Sequence, residues 1–559
     1  MKKFDQKAWI RLYRLAKPFF FSELGWKARG VLAMLLGLSL AIKGFDVVMS
    51  YIGRDFMTAL SLRQKDDFIH SLLLYLLAFC VAVPLAVFYR YTEERLALMW
   101  RRWFSHHVLE KYFRQQSYYR LGWYGKIDNP DQRLEEDIRS FTSMSLSLFL
   151  IFLQSGIALF AFMGVLSSIS WTLTATAVAY AVFGSICTYF LGRPLINLNF
   201  DLLKREADYR YKLIKVRDNA ESIAFYRDER RELKRARQKL KDALVALLRI
   251  INRNRTLNFF TTGYNYILII LPTIVVAPLY LRGEIEFGVV TQSAVAFSHV
   301  INALSVIIIN FGSLSAYAAV VRRLGMFTEV LDEANKPRQG VPLQDSELLE
   351  VKDLTILTPD KKRPLVQNLS LSISHGGLLI CGPSGCGKSS ILRVFSGLWD
   401  ASSGEIRRPA YSLSMYVPQR PYLVLGSLRN QLTYGSERSG FTDQELIKVL
   451  NEVELSEMYR RVGGLEATVD WSATLSNGEQ QRLGLARLML RRPAYVFLDE
   501  ATTAIDEEGE RLIYEKIQGF ARLIVSVGYR SNLQRHHDYV LELLGDGNWR
   551  LERLSEDEE

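Results

Sequence analysis

"GLLICGPSGCGKSSILRVFSGLW", Gly377–Trp399, decides the fold of the second half of this 559-residue chain. An apolar run of strand character leads in, a glycine-rich turn follows, and a helical run leads out. Gly382–Ser389 fits G-x-x-x-x-G-K-[ST] without deviation, and the strand–turn–helix context is what such a phosphate-binding loop requires. Gly382, Gly385 and Gly387, with Pro383, Ser384 and Cys386 between them, let backbone amides wrap a β-phosphate. The helix that follows, past Ser390, presents its positive N-terminus. Lys388 is placed to reach the β- and γ-phosphates and Ser389 to ligate Mg²⁺.

About 110 residues on, "YVFLDE" ends in Asp499 and Glu500. An apolar strand closing on an acidic pair supplies a metal-directed carboxylate, Asp499, and a base for an attacking water, Glu500. Between the two lies "LSNGEQQRLGLARLML", Leu475–Leu490, a small flexible start followed by a helix. A serine and a glycine at a helix N-terminus can bind phosphate from outside. "MYVPQRP" around Gln419 and "ATTAID", ending at Asp506, complete the series.

The first half reads differently. Six stretches suffice to cross a bilayer, which takes about 20 apolar residues: Val31–Tyr51, Leu72–Phe88, Met144–Ile169, Trp171–Leu191, Phe260–Tyr280 and Val290–Phe311. Lysine and arginine number ten in Tyr89–Ser140 and eighteen in Arg193–Thr256, against three in Gly53–Asp67 and one in Leu281–Val290. The bias places both long loops and both termini in the cytoplasm. Helical spacing in "RYTEERLALMWRRWFSHHVLEKYF" predicts that the second and fourth spans continue beyond the membrane, with helices returning to the third and fifth. Lys7–Ser22 reads as an amphipathic helix on the inner surface, too charged and aromatic for a cleavable signal. Lys43 and Asp46, three apart in the first span, share a helix face; they either neutralise each other or line a cavity. Tyr264, His299, Asn302 and Asn310 are the other polar residues in or near the spans. The net charge of +11 sits mainly between the apolar runs, favouring a membrane surface over nucleic acid. Cys80, Cys187, Cys381 and Cys386 show no zinc or disulfide spacing and read as packing.

Residues 1–332 are therefore expected to form an all-α six-helix transmembrane domain, 333–347 a polar linker, and 348–559 an α/β phosphate-loop nucleotide-binding domain.

The order GPSGCGKSS, VPQRP, LSNGEQQR, FLDEATTAID resembles the nucleotide-binding domain of an ATP-binding cassette (ABC) transporter. "YVPQRPYLVLGSLRNQLTYG", "NPDQRLEEDI" (Asn129–Ile138) and "NAESIAFYRDE" (Asn219–Glu229) narrow the likeness. They are similar to the peroxisomal fatty-acyl transporter subfamily, subfamily D, and its bacterial YddA-type and SbmA/BacA-like relatives. The likeness spans nearly the whole chain. It implies an exporter-like (type IV) membrane fold and a homodimer of half-transporters in the lipid bilayer of a bacterial inner membrane. Two ATPs are then held between two cassettes, each touching Gly382–Ser390 of one chain and Ser476, Asn477, Gly478 and Glu479 of the other, with Gln419, Asp499 and Ser389 around Mg²⁺ and Asp506 nearby. It also implies ATP-driven uptake of polar or amphipathic solutes such as peptides or cobalamin-like compounds. Export of acyl or amphipathic substrates is one alternative; a nucleotide-gated regulator or conduit with slow turnover is another. In "NPDQRLEEDI", Asp131, Arg133, Glu135 and Asp137 are suited to ion pairs between the helical extensions.

Three departures stand out. Asn477 and Glu479 replace Gly and Gln; Asn tolerates positive φ, while Glu479 brings negative charge to a phosphate site unless it turns away. Thr358 stands where an aromatic is expected, leaving Tyr434 as the candidate to stack on adenine. Tyr529 stands where the family usually has histidine. A tyrosine hydroxyl ionises near pH 10 and brings no positive charge, which predicts slow hydrolysis.

Overall fold

The structure, a computed structural model, describes residues 6–122, 130–336, 341–358, 362–436, 440–528 and 531–554. It divides into two compact units, Met1–Lys336 and Pro337–Glu559.

In the first unit an amphipathic helix, α1 (Gln6–Phe20), precedes α2 (Gly25–Ser61) and α3 (Lys65–Phe113). After a π-helical turn at Arg133–Asp137 come α4 (Ile138–Ile169), α5 (Trp171–Asp218), the short α6 (Ala220–Tyr226) and α7 (Glu229–Leu281). The unit closes with α8 (Phe287–Leu304) and α9 (Phe311–Ala334). Among the described residues six helices are long and apolar enough to cross a membrane. The extensions predicted from helical spacing are present. The 49 residues of α3 span about 73 Å at 1.5 Å per residue, more than twice a hydrocarbon core.

The stripe Leu96, Trp100, Phe104, Val108 recurs every fourth residue on α3 and is buried with Phe141 of α4 and Leu324 of α9. Burial of each such side chain contributes about 1.5–3 kcal/mol. Polar residues inside the spans have mostly structural partners. Tyr264 stacks on Tyr180 at 4.3 Å, and each hydroxyl donates to the other's carbonyl oxygen, at 2.7 and 3.2 Å. Gly184 admits the Tyr264 ring, since a Cβ there would lie 2.4 Å from it. The sixth span is not the continuous Val290–Phe311 helix expected. It stops at Leu304, resumes for one turn at Val306–Ile309 and again at Phe311; Asn310, at the second break, donates from Nδ2 to the Val306 carbonyl at 2.9 Å. A side chain that competes for backbone acceptors in this way weakens a helix interior.

Of the four residues expected to pair in "NPDQRLEEDI", described from Pro130, Arg133, Glu135 and Asp137 do and Asp131 does not. Asp137, 1% exposed, accepts from Arg133 at 3.0 Å and from Arg323 of α9 at 3.1 and 2.5 Å. Glu135 lies 3.6 Å from Arg101 of α3 and 3.5 Å from Arg139. Asp131 is exposed and makes no ion pair among the described residues. The clasp therefore joins α3, α4 and α9, through Asp137 and Glu135.

The second unit holds two sheets. One runs β1 (Leu343–Asp345), β5 (Ser403–Arg408), β2 (Leu349–Leu357), β3 (Pro364–Ile373). The other runs β10 (Asn548–Arg553), β9 (Tyr539–Gly545), β4 (Gly376–Cys381), β8 (Leu523–Val527), β7 (Tyr495–Asp499), β6 (Ser414–Val417). All neighbours in the second are parallel except β10 with β9. Its central strands are mostly apolar, as burial on both faces demands, with Ser526 of β8 and the terminal Asp499 of β7 as exceptions. β1 corrects the expected linker: Leu343–Asp345 pairs in parallel with Ile406–Arg408. An exposed edge strand carries polar side chains, so composition alone conceals it. Among the four free cysteines only Cys386 is buried.

Candidate functional site

Strand β4 delivers the chain to the loop 382–387, and α10 (Lys388–Phe395) leaves it. The loop's glycines are obligatory for two reasons. Gly387 has φ +113°, and a Cβ on Gly382 would lie 2.3 Å from the Leu543 carbonyl oxygen of β9. Left-handed backbone of this kind favours glycine. The Lys388 ammonium donates to the carbonyls of Gly382 and Pro383 at 2.9 and 3.0 Å, across the mouth of the loop.

β7 runs beside β8, which is flanked by β4, so the acidic end of β7 faces the same crevice at the carboxyl ends of parallel strands. There Ser389 Oγ donates to Asp499 Oδ1 at 2.8 Å, across 110 residues. Gln419 Nε2 donates to Glu500 Oε2 at 2.6 Å. Glu500 has φ +49°, a conformation that costs a non-glycine residue on the order of 1–3 kcal/mol. Its backbone is held on both sides: its N–H donates to Val527 of β8 at 3.1 Å, and its carbonyl accepts from Thr503 Oγ1 at 3.1 Å.

Gln481, given no role from the sequence, is the hub of this arrangement. It sits on α12 (Asn477–Arg491), 7% exposed. Its Nε2 donates to the carbonyls of Gln419 and Glu500, each at 3.3 Å, and to Thr503 Oγ1 at 3.1 Å. Its Oε1 accepts from Ala504 N–H at 2.8 Å. The second glutamine of "EQQR" was the available signal, one helical turn beyond Asn477.

Ser476 caps α12. Its hydroxyl accepts from Glu479 N–H at 3.3 Å, while the Glu479 carboxylate accepts from Ser476 N–H at 2.9 Å, a reciprocal capping box. Arg461 donates to Glu479 at 2.8 Å. Burial opposes ionisation of Glu479, but the Ser476 N–H and Arg461 outweigh it and hold its carboxyl below the usual range. The charge is thus turned back into the cap. Asn477 is the first residue of α12 with no positive φ, so the left-handed tolerance expected of it is not used. Gly478 is used: a Cβ there would lie 2.9 Å from the Ala504 carbonyl oxygen. Asp506 stands at the N-cap position of α13 (Glu507–Gln518) without a side-chain cap bond, and its Oδ1 accepts from Arg482 at 3.0 Å.

Tyr434 follows α11 (Leu428–Thr433) at its C-cap, with its ring about half exposed. Its ring lies 5.3 Å from the Arg487 guanidinium and 5.5 Å from the Tyr422 ring. Arg487 is 7% exposed and donates to the carbonyls of Gln431 and Tyr422, at 2.7 and 2.8 Å. Burial pushes it down to about 10, and Tyr434 opposes the shift. A buried cation with only carbonyls and a ring around it needs that ring. Thr358 pairs with Arg363 through its backbone N–H (2.9 Å) and its hydroxyl (3.2 Å). Tyr529 lies outside the described residues.

Comparison with known proteins agrees with this geometry. Residues 15–281 match the family model "ABC transporter transmembrane region 2" and residues 366–503 the model "ABC transporter". An uncharacterized ABC transporter ATP-binding protein of Synechocystis is 39% identical over 98% of this chain and 86% of its own. The inner membrane ABC transporter ATP-binding protein YddA of Escherichia coli is 30% identical, over 90% of this chain and 92% of its own. The human lysosomal cobalamin transporter ABCD4 is 30% identical over 97% and 96%. A transmembrane region and one ATP-binding cassette in a single chain make this protein an ABC half-transporter, a member of the subfamily-D-like group of the ABC transporter family.

Proposed function

We propose that two copies of this chain form a homodimer that hydrolyses Mg²⁺-ATP to move polar or amphipathic solutes across a bacterial inner membrane, with both termini cytoplasmic. The observation that carries the ATPase reading is the paired geometry at the end of β7, where Ser389 meets Asp499 and Gln419 meets Glu500. Hydroxyl, carboxylate and amide oxygen suit a hard cation, and one carboxylate fits Mg²⁺, which takes its remaining ligands from phosphates and water. When bound, the ion supplies charge neutralisation between the β- and γ-phosphates.

The remaining chemistry belongs to the chain. Lys388 exchanges two neutral carbonyl acceptors for phosphate oxygens, a stronger, charge-assisted bond. Glu500 orients the attacking water and accepts its proton, and Gln419 holds the carboxylate until that water arrives. Ser476 and Gly478 of the second copy present their helix start to the γ-phosphate. Tyr434, about half exposed and in contact with Arg487, stays the proposed adenine partner. Since Glu479 is turned into its own cap, Tyr529 alone sustains the expectation of slow turnover.

A polar solute is supported by the name of the human relative, a cobalamin transporter, and an inner membrane by the name of YddA. The lysine and arginine bias supports the orientation. The test is steady-state hydrolysis in nanodiscs. Lys388→Ala is expected to abolish it and Glu500→Gln to trap a nucleotide-closed dimer; undiminished hydrolysis in Glu500→Gln would remove Glu500 from the role of base. Tyr529→His is expected to raise the basal rate several-fold at unchanged nucleotide affinity, and an equal or lower rate would make the tyrosine adequate.

A further inference from the structure

The membrane unit forms a half-open pocket of about 380 Å³ between α2, α3 and α8, a size within the usual range for small-molecule sites. Asp46, Met49, Ser50 and Met57 line it from α2, Tyr75 and Phe79 from α3, and Gln292 and His299 from α8. The walls are set by close packing. A Cβ on Gly288 would lie 2.0 Å from the Arg54 carbonyl oxygen, and Gly288 N–H donates to Thr58 Oγ1 at 3.1 Å. At the other end His299 stacks on the buried Phe162 ring at 4.1 Å, 6° from parallel.

The charges are unequally available. Arg54 also lines the cavity, but its guanidinium donates to Asp55 at 2.8 Å and lies over the Tyr51 ring. Asp46 accepts from Lys43 at 2.9 Å through Oδ2; Oδ1 has no partner among the described residues. Ser50 and Gln292, 7% and 4% exposed, keep a side-chain oxygen and nitrogen without a hydrogen-bond partner. Buried polar atoms without partners cost free energy that a ligand can recover. An ionisable residue at membrane depth marks a functional site by default. Thioethers adapt to varied apolar shapes, and aromatic faces attract cations.

We propose that this cavity binds an amphipathic organic cation, a protonated amine on an aromatic body, with its ammonium on Asp46 and its body among Met49, Tyr75 and Phe79. Its use as a transport subsite rests on the transporter reading above; its binding does not. The probe is L-phenylalanyl-L-phenylalaninamide, radiolabelled, with its N-acetyl derivative as the uncharged control of the same body. Equilibrium binding is measured on nucleotide-free protein in nanodiscs. The amide is expected to bind at least ten-fold more tightly than the N-acetyl form. Asp46→Asn should abolish that difference. Lys43→Met removes the competing cation and should tighten amide binding several-fold, which keeps the test decisive if Asp46→Asn fails to fold.

Equal affinity for amide and N-acetyl form, undiminished amide binding in Asp46→Asn, or unchanged affinity in Lys43→Met would each overturn the proposal. Glu500→Gln should bind the amide as the unaltered chain does. A protein that binds the amide through Asp46 but shows no Glu500-dependent hydrolysis would support the cavity and overturn the transport reading.

Discussion

Asp137 and Glu500 are each held by at least one side chain far away in sequence, and the nature of the holder separates them. Asp137, in the membrane unit, accepts from two guanidinium groups, Arg133 and Arg323. Glu500, in the cassette, accepts from the neutral amide of Gln419, and its neighbour Asp499 accepts from the neutral hydroxyl of Ser389. Among the described residues neither cassette acid is ion-paired. A carboxylate between cations has its charge cancelled and acts as a tie. A carboxylate oriented by neutral donors keeps its charge for a metal ion or a proton. Glu232, bonded to Lys212 where α5 and α7 run together, falls in the first class. Asp46, with one oxygen on Lys43 and one without a partner, lies between the two.

Substitutions can break this contrast. The largest effect is expected from Glu500→Gln, which keeps the shape and removes the charge. Hydrolysis should fall roughly 10²–10⁴-fold while the unfolding temperature stays within a few degrees. A loss of stability as large as the loss of rate would place Glu500 among the ties.

Asp137→Ala should do the reverse. Breaking a buried pair costs about 3–5 kcal/mol. The low end is expected, because Arg323 is 40% exposed and can turn to water. Lowered unfolding temperature in detergent, with no change in which solutes bind, is the signature. A clean change of solute specificity at full stability would contradict it.

Gln481→Leu probes the hub that positions the acid pair. It removes the acceptor from the Ala504 N–H in a part-buried hydrogen bond, a cost of about 0.5–1.5 kcal/mol. It also frees the backbone of Glu500 from α12, so stability and rate should fall together. Full activity would show that the positive φ of Glu500 is maintained by β7 and β8 alone.

The smallest effect is expected from Glu479→Gln, which retains the capping geometry and loses the ion pair with Arg461. An exposed pair of this kind is worth about 0–1 kcal/mol. The depressed carboxyl makes the pH dependence definite: the stabilisation is present above the ordinary glutamate value and is lost as the pH falls through the lower folded value. Hydrolysis near neutral pH should change less than two-fold. A several-fold acceleration would mean that the Glu479 charge does act on the phosphate.

The two units also differed in what their residues disclosed. In the cassette, Gly382–Ser389, Asp499 and Glu500 could be named from spacing, because backbone amides, a metal ligand and a base must follow strand ends at set distances. Gln481 could not, because its partners are carbonyls and an N–H that any sequence supplies. The contact of Tyr434 with Arg487 was hidden for a related reason: an aromatic near a nucleotide site suits a base or a buried cation equally well, and the position of Arg487 is not legible in the sequence. In the membrane unit, hydropathy showed all six spans, but not the interruption near Asn310 or the strand Leu343–Asp345 beyond it. A side-chain bond to a local carbonyl and an edge pairing both leave composition unchanged.

By itself the sequence determined the two-part architecture, the membrane crossings, the phosphate loop and the acidic strand end. These rest on local rules: apolar run length against bilayer thickness, glycine where φ is positive, a lysine and a hydroxyl at fixed offsets. Only the tertiary structure decided that Asp137 rather than Asp131 is the clasp, that Glu479 turns back into its cap, and that Asp46 both pairs with Lys43 and lines a cavity. Each depends on what another segment, distant in the chain, brings within about 3 Å, the range over which a hydrogen bond acts.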